Sequence, residues 1–249
     1  MEFFIKEWGS GEPSLIFLHY FSGAAESWRW VIEQLTPDFR CVAIDLPGFG
    51  QAPPLANPSL AAYGDYIGNA LKQLEIKNGI LVGHSMGGKL ALQVATTPRL
   101  AALLSQVILV APSPPTQEPM PDQEKQRLLN QHPSRESAVT TVESATQRSL
   151  PDDRRALAIE TYRQAENSAW RWWLQTGMNH SIADQTAQIE IPVTVIASQD
   201  DPVIPLQMLE HDFGELLPQT KIIALSEIGH LIPLEAPEAL SAEIRRLIA

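Results

Sequence analysis

The chain has 249 residues, of which 44% are hydrophobic, and its 18 basic and 29 acidic side chains give a net charge of −11. A chain of this size can bury a full core, and α/β chains of this length commonly form one domain. The acidic balance argues against nucleic acid as a partner.

No apolar run approaches the roughly 18 residues that mark a membrane span, and the N-terminus leads directly into strand-like sequence. The sequence therefore predicts no signal peptide, no membrane span and a cytoplasmic location. The single cysteine, Cys41, lies in an apolar run and is expected to be a buried thiol rather than a nucleophile.

Short apolar segments rich in β-branched residues are predicted to form strands. Their hydrophobicity is nearly continuous, as in parallel strands that are covered on both faces. Helical patterns alternate with them, which predicts an α/β fold with helices on both sides of a parallel sheet. The predicted strands are Phe3–Trp8, Leu15–His19, Cys41–Asp45, Ile80–Gly83, Val107–Ala111, Val193–Ala197 and Ile222–Leu225, and the helical segments lie near 24–35, 59–76, 86–97, 205–216 and 237–248.

The stretch 112–188 interrupts this alternation. It opens with a proline-rich segment and continues as polar helical sequence without a convincing strand; the helical patterns cover 128–132, 135–148 and about 150–167. Because the stretch leaves the carboxyl end of a strand, we expect a helical cap over the rim of the core, which comprises 1–111 and 189–249. A small ancillary helical lobe is the alternative.

The pentapeptide Gly83-His84-Ser85-Met86-Gly87 joins a predicted strand to a helical stretch. A sharp strand-to-helix turn needs small residues two places before and after its centre, because side chains there would collide with the backbone. Such a turn presents the Ser85 hydroxyl at the edge of the sheet. It also directs the first amides of the helix at any negative charge that forms beside it. Ser85 is therefore the predicted nucleophile.

A serine nucleophile requires a neighbouring base, usually a histidine that a carboxylate orients. Six histidines are present, and His230 follows a glycine and a predicted strand on a loop near the C-terminus, which favours it as the base. The loop after the strand 193–197 carries two adjacent acids, Asp200 and Asp201. Successive loop residues point in different directions, so one of the two is expected to orient His230. The chain order Ser, Asp, His is that expected on an α/β-hydrolase sheet.

Five segments in register make the chain similar to the α/β-hydrolase-fold superfamily over nearly its whole length. The resemblance implies an α/β-hydrolase fold, with a mostly parallel central sheet, helices on both faces and a helical cap insertion. It is specific for the superfamily and poorly specific for substrate. The segments are His19–Gly23, Asp45–Gly50, Gly83–Gly88, Ser198–Pro205, and Gly229-His230 with Glu235–Glu238.

The resemblance also implies roles for individual residues. In similar proteins the acid lies four residues before a proline, which selects Asp201 over Asp200. The segment around Phe21 resembles the oxyanion loop, so the backbone N–H groups of Phe21 and Met86 are expected to form the oxyanion hole. Tyr20 stands where the family usually has glycine. This leaves the shape of the loop open, because tyrosine resists a positive φ.

Aromatic residues in the stretch 112–188 have two interpretations. Helical spacing places Trp170, Trp173 and Leu174 on one stripe, with Trp172 off it. The stripe forms either a seam between cap and core or the apolar wall of an acyl pocket. In the second case, Trp170 and Trp173 bind substrate.

These residues together predict a serine hydrolase that cleaves a small carboxylic ester, or a lactone or thioester, through an acyl-enzyme. In this mechanism His230 accepts the Ser85 proton, Asp201 orients the imidazole, and the Phe21 and Met86 amides stabilise the oxyanion. No metal and no organic cofactor is expected. The same triad also suits a cofactor-free haloperoxidase or perhydrolase, or a C–C hydrolase. An alternative of another class is a small-ligand receptor that keeps the fold without turnover.

The expected partner is a small-molecule ester, with no nucleic acid and no membrane. Arginines in the stretch 112–188 are most simply explained as solvated helix faces, and the alternative is a docking patch for an acidic carrier protein. They are Arg148, Arg154, Arg155 and Arg163.

Overall fold

The computed structural model describes residues 2–248, and the strands in this range form a single seven-stranded sheet. The strands are β1 Ile5–Trp8, β2 Leu15–Leu18, β3 Cys41–Ile44, β4 Gly79–His84, β5 Leu104–Val110, β6 Val193–Ser198 and β7 Lys221–Leu225. Their order across the sheet is β1-β3-β2-β4-β5-β6-β7. β1 runs antiparallel to β3, and the other neighbouring pairs are parallel. The predicted strands and the mostly parallel sheet are thus confirmed.

Helices follow most strands, as the sequence predicts. Among the described residues, no helix combines the length and the apolar character that crossing a bilayer demands. The α-helices are α1 Arg29–Leu35, α2 Leu60–Gln73, α3 Met86–Ala95, α4 Pro98–Ala101, α5 Asp122–Gln131, α6 Arg135–Ser144, α7 Asp152–Gln164, α8 Asn167–Trp172, α9 Leu206–Leu216, α10 Ile232–Glu235 and α11 Pro237–Ile248.

Helices cover both faces of the sheet. Successive side chains of a strand point to opposite faces, so β2 contributes to two separate apolar clusters. Leu15 and Phe17 pack in one cluster with α1 and α11, whereas Ile16 and Leu18 pack in the other with α2 and α3. Burial on both sides explains why the central strands are almost continuously apolar. The edge strands β1 and β7 are partly exposed, and they carry the charged residues of the sheet.

The stretch 112–188, which lies between β5 and β6, is helical throughout its structured parts. It holds α5 to α8, a π-helical turn over Trp173–Gly177 and a 3-10 turn over Ala183–Gln188, and none of these described residues forms a strand. The helix expected over about 150–167 is α7, which ends at Gln164 because the backbone becomes extended at Ala165 and Glu166 before α8 begins. The division of the chain into a core and a cap stays a prediction.

Candidate active site

Ser85 lies on the sharp turn between β4 and α3, with φ 53° and ψ −117°. A non-glycine residue with positive φ is strained, and such strain is typical of functional turns. A Cβ on Gly83 would lie 2.4 Å from the Gly87 carbonyl oxygen, and one on Gly87 would lie 2.5 Å from that of Leu18. The requirement for small residues on both sides of Ser85 is therefore met for the steric reason expected from the sequence.

The folded chain brings Ser85, His230 and Asp201 together from three loops. Ser85 Oγ lies 2.9 Å from His230 Nε2, and His230 Nδ1 lies 2.8 Å from Asp201 Oδ2. A carboxylate only accepts hydrogen bonds, so Nδ1–H donates to it and Nε2 is free to accept from the Ser85 hydroxyl. All three side chains are buried. This is the geometry of a nucleophile, a base and an orienting acid.

Asp201, and not its neighbour, faces the histidine. Its second oxygen, Oδ1, accepts hydrogen bonds from the backbone N–H groups of Val203 at 2.7 Å and Ile204 at 2.9 Å. Asp200 is exposed and accepts from the N–H of Glu227, at 2.6 Å. Asp201, and not Asp200, is therefore the acid beside His230, and its role in catalysis stays a prediction.

Contacts on three sides fix the loop that carries His230. The His84 Nε2–H donates to the His230 carbonyl at 2.9 Å, and the His230 N–H donates to the Ala145 carbonyl at 2.7 Å. Glu235 accepts from the N–H of Gly229 at 2.9 Å. Burial, with the nearby His230, holds the pKa of His84 well below its usual range, so His84 is a neutral donor. Sequence reasoning did not predict this positioning contact.

The electrostatic environment of His230 favours its protonated form. Burial lowers the pKa of His230, but the charge and the hydrogen bond of Asp201, together with Glu118 and Glu235, raise it by more. The net effect is a pKa above the ordinary histidine value of 6.5. The imidazole must lose its proton before it can act as a base, so this shift bears on the pH at which the site works.

The loop with Phe21 forms without a positive φ at Tyr20. The left-handed residue is Ser22, at φ 75°, and the N–H of Gly23 donates to the Tyr20 carbonyl at 2.9 Å, which closes a tight turn. Within residues 2–248, neither the Phe21 N–H nor the Met86 N–H donates a hydrogen bond. Both amides are free for an oxyanion, and their role in an oxyanion hole stays a prediction.

A cavity of about 350 Å³ opens beside Ser85 and His230. Its other walls come mainly from the loop with Phe21 and from the stretch 112–188, and most of their surface is apolar. A site of this size and character suits a small organic ligand held by a few polar groups. The apolar side chains from that stretch are Pro119, Met120, Pro121, Leu128, Val142, Ala145 and Trp173.

The two tryptophans that the sequence paired as substrate-binding residues have different positions. Trp173 lines the cavity. Trp170 lies behind the cavity wall. Its ring centroid is 4.3 Å from that of Phe21, and its Nε1–H donates to the Leu128 carbonyl at 3.1 Å. Of the two interpretations, the seam describes Trp170, because this side chain packs between 112–188 and the rest of the chain and does not line the described cavity. Trp172 points elsewhere, as expected, and stacks on Tyr63.

Sequence reasoning missed two buried charged residues near the site. Glu118 lines the cavity and is buried. Lys89 is fully buried, and its Nζ donates to the carbonyls of Thr116 at 2.8 Å and Met178 at 3.3 Å. Burial lowers the pKa of Lys89 to about 8, although Glu118 and Asp212 act in the opposite direction. The isolated position of Lys89 in the apolar segment after Ser85 was the one sequence feature that could have indicated this buried charge.

Charged residues farther from the cavity are largely paired with one another. Each of the four arginines considered for a carrier-protein patch lies within 4.0 Å of a glutamate carboxylate, which favours solvated helix faces over an unpaired basic patch. In the part of the chain that the structure describes, no group of three His, Cys, Asp or Glu side chains is arranged to hold a metal. The pairs are Arg148–Glu227, Arg154–Glu238, Arg155–Glu143 and Arg163–Glu160.

Known proteins resemble the chain in sequence and in fold. The dihydrolipoyllysine-residue acetyltransferase component of the acetoin cleaving system from Cupriavidus necator is 35% identical over 105 residues, which are 42% of this chain and 28% of that protein. An esterase from Exiguobacterium antarcticum superposes with a TM-score of 0.90 at 18% identity, over 99% of this chain and 95% of its own. A bromoperoxidase from Bacillus anthracis superposes with a TM-score of 0.85 at 16% identity, over 99% and 94%.

A model of the alpha/beta hydrolase family matches residues 15–243, which is most of the chain. The match includes every loop that contributes to the site, from the turn at Phe21 to His230. Together with the mostly parallel sheet, it shows that this protein belongs to the alpha/beta hydrolase family.

Proposed function

We propose that the protein is a serine hydrolase that cleaves a small carboxylic ester, or a lactone or thioester, through an acyl-enzyme. The observation that carries the proposal is the hydrogen-bonded series Ser85, His230 and Asp201 at the wall of an apolar cavity. A buried serine that is hydrogen-bonded to an oriented imidazole has the contacts that nucleophilic catalysis requires.

In the proposed reaction, His230 Nε2 takes the Ser85 proton as Oγ attacks the ester carbonyl. Asp201 stabilises the imidazolium, and the N–H groups of Phe21 and Met86 donate to the oxyanion. The protonated His230 then gives its proton to the leaving alcohol. Water, activated by the same histidine, releases the acid and restores Ser85. No metal or organic cofactor takes part.

The stretch 112–188 acts in this proposal as a cap that limits the size of the substrate. Its residues supply much of the wall of a cavity of about 350 Å³, which suits short and medium acyl chains better than long ones. The esterase from Exiguobacterium antarcticum shares the fold, which makes ester cleavage compatible with it.

The second candidate is a cofactor-free haloperoxidase or perhydrolase, which the likeness in fold to a bromoperoxidase supports. Such an enzyme uses the same three side chains, but hydrogen peroxide replaces water as the second substrate. A C–C hydrolase would use the same triad on a different bond. A small-ligand receptor would keep the fold without turnover.

Multiple turnovers of a short p-nitrophenyl ester without peroxide test the proposal. An ester hydrolase releases many equivalents of nitrophenol, whereas a receptor that retains a reactive serine releases at most one. A peroxide-dependent product from a carboxylic acid, without net ester hydrolysis, would favour the second candidate.

The pH dependence of this turnover is expected to show an acid limb above pH 6.5. The pKa of His230 is raised above that value, and protonated His230 cannot accept the Ser85 proton, so kcat/KM rises as pH increases through the pKa. The measurement is kcat/KM against pH for the free enzyme. A limb below 6.5 contradicts the raised pKa of His230, whereas the absence of any acid limb contradicts its assignment as the base.

Replacing Trp173 with alanine is expected to move the preferred acyl chain towards bulkier groups. Trp173 lines the cavity, so its loss enlarges the site and loosens the positioning of small substrates, which lowers their kcat/KM. The measurement is kcat/KM over esters of graded acyl length, on variants shown to be folded, because Trp→Ala in a core costs about 3–5 kcal/mol of unfolding free energy.

Trp172→Ala is the matched control for this series. Its indole stacks on Tyr63, with ring centroids 4.8 Å apart, and does not line the cavity of the described chain. The control is expected to keep the wild-type chain-length profile. If both variants keep that profile, Trp173 does not limit the acyl pocket.

A further inference from the structure

The carboxylate of Glu235 binds three backbone N–H groups, and the proposed mechanism gives it no task. Its Oε1 accepts from the Gly229 N–H at 2.9 Å. Its Oε2 accepts from the N–H groups of Gln147 at 2.9 Å and Arg148 at 3.0 Å, in the turn 145–148 that follows α6. Hydrogen bonds to a charged acceptor are stronger than those between neutral groups. One side chain thus joins two segments that are more than 80 residues apart.

The single helical turn of α10 brings Glu235 back to the loop that carries His230. The N–H groups of the last two residues of α10 both donate to the Leu231 carbonyl, at 2.8 Å and 2.9 Å. A side chain five residues after the histidine therefore lies beside Gly229. The segment Glu235–Glu238 contributes to the family resemblance, and the sequence assigned it no role.

The turn 145–148 packs directly on the backbone next to His230. A Cβ on Gly229 would lie 2.7 Å from the Ala145 carbonyl oxygen, and it would be equally close to two of the atoms that bind each other here, the Gln147 nitrogen and Glu235 Oε1. The His230 N–H also donates to the Ala145 carbonyl, at 2.7 Å. The two segments have no room for a side chain between them, so a change in their separation displaces the histidine.

The same turn also contacts the cavity and the loop of the acid. Ser144 and Ala145 line the cavity beside the nucleophile. The Gln147 side chain donates from Nε2 to the Asp200 carbonyl at 3.3 Å, one residue before Asp201. Glu235 therefore joins the histidine loop to a segment that contacts both the substrate site and the acid.

We propose that Glu235 is a positioning residue that holds His230 at hydrogen-bond distance from both Ser85 and Asp201, by binding the histidine loop to the turn 145–148. This inference rests on the proposed function for the reaction that His230 serves. Glu235 acts through the histidine, since its oxygens bind backbone N–H groups and it does not line the described cavity. An amide has one accepting oxygen and a donating NH₂ group, so glutamine leaves one of the two segments without its acceptor.

The test replaces Glu235 with glutamine and measures kcat and KM for a short p-nitrophenyl ester. On the plateau above the acid limb, kcat is expected to fall by about tenfold to a hundredfold, because a misplacement of about 1 Å costs up to about a hundredfold in rate. Glu238→Gln is the matched control. Glu238 lies 3.8 Å from Arg154 of α7, so it also joins the stretch 112–188 to the rest of the chain, but through α7. The control is expected to keep the wild-type kcat.

The pH profile separates positioning from charge alone. Burial lowers the pKa of His230, and three carboxylates raise it: Asp201, Glu118 and Glu235. The fourth titratable neighbour, His84, is neutral. Loss of the Glu235 charge is expected to move the acid limb to lower pH, by less than in Asp201→Asn. A charge effect alone would move the limb and leave the plateau kcat unchanged, and that result overturns the proposal.

Gly229→Ala is a second variant that keeps every charge. Its Cβ is expected to push the turn 145–148 away from the histidine loop and to lower the plateau kcat while the acid limb stays in place. A wild-type kcat in this variant overturns the proposal. A raised KM with unchanged kcat in Glu235→Gln would mean that Glu235 holds only the cavity wall, and it also overturns the proposal.

Proton NMR measures the position of His230 without turnover. The Nδ1–H that donates to Asp201 is expected to give a downfield resonance in wild-type protein and in Glu238→Gln. In Glu235→Gln this resonance is expected to broaden or vanish, because a displaced imidazole exchanges its proton with solvent. An unchanged resonance in folded Glu235→Gln overturns the proposal. If wild-type protein hydrolyses no ester, the proposed function fails, and the resonance still decides whether Glu235 positions His230.

Discussion

Replacing Ser85 with alanine is expected to lower ester turnover by about 10⁶-fold, the scale of loss when a triad nucleophile is removed. Without Oγ, the acyl-enzyme cannot form, and His230 has no hydroxyl to activate. The fold is expected to remain, because alanine is smaller than serine and the change removes only the side-chain hydrogen bond to His230. The measurement is kcat on purified variant, with circular dichroism to verify folding. Residual activity above about a thousandth of wild type would reject Ser85 as the nucleophile.

A fluorophosphonate probe supplies an independent measurement of the same assignment. We expect it to label wild-type protein at Ser85 and to leave the Ser85→Ala variant unlabelled. Ser144→Ala is the matched control, because Ser144 lines the same cavity but donates its hydroxyl proton to the Thr141 carbonyl and not to a histidine. Labelling is expected to persist in that control. A modified peptide that contains any other serine would contradict the prediction.

Replacing Asp201 with asparagine is expected to lower kcat by about 10⁴-fold, as when the acid of such a triad becomes an amide. An amide nitrogen in place of Oδ2 cannot accept from His230 Nδ1–H, so the imidazole loses both its orientation and the charge that stabilises its protonated form. The same loss of charge is expected to lower the pKa of His230 and to move the acid limb of the residual activity to lower pH.

Asp200→Asn is the matched control, since it makes the same chemical change one residue earlier in the same loop. Asp200 is exposed and accepts a hydrogen bond from the Glu227 N–H, outside the cavity. Its replacement is expected to change kcat only slightly. Equal losses in the two variants, or a larger loss for Asp200→Asn, would mean that the other carboxylate orients His230.

Short sequence motifs and their spacing along the chain were enough to predict which loops form the candidate site. Gly83 and Gly87 flank Ser85 because the backbone of the turn leaves no room for side chains, a constraint that acts over five residues. The loops after β6 and β7 carry Asp201 and His230, and the carboxyl ends of parallel strands meet at one edge of a sheet. Short-range sterics and sheet topology thus fix which loops converge.

The choice between Asp200 and Asp201 was beyond such reasoning, and the resemblance to a family supplied it. In the folded chain, the choice follows from the backbone N–H groups of Val203 and Ile204, which hold the Asp201 carboxylate towards His230. Similarly, the loop with Phe21 takes its positive φ at Ser22, so Tyr20 does not have to adopt it. Both outcomes depend on the exact path of a loop, which composition does not reveal.

The sequence by itself determined the α/β framework, the turn that presents Ser85 and the order in which the acid and the histidine follow. Only the tertiary structure decided that Trp173 lines the cavity while Trp170 packs behind it, and that the buried Glu118 lies at the cavity wall. The physical reason is the separation in sequence between the residues that interact. Strands, turns and their spacing follow from neighbours along the chain, whereas the cavity wall forms where 112–188 packs against loops distant in sequence.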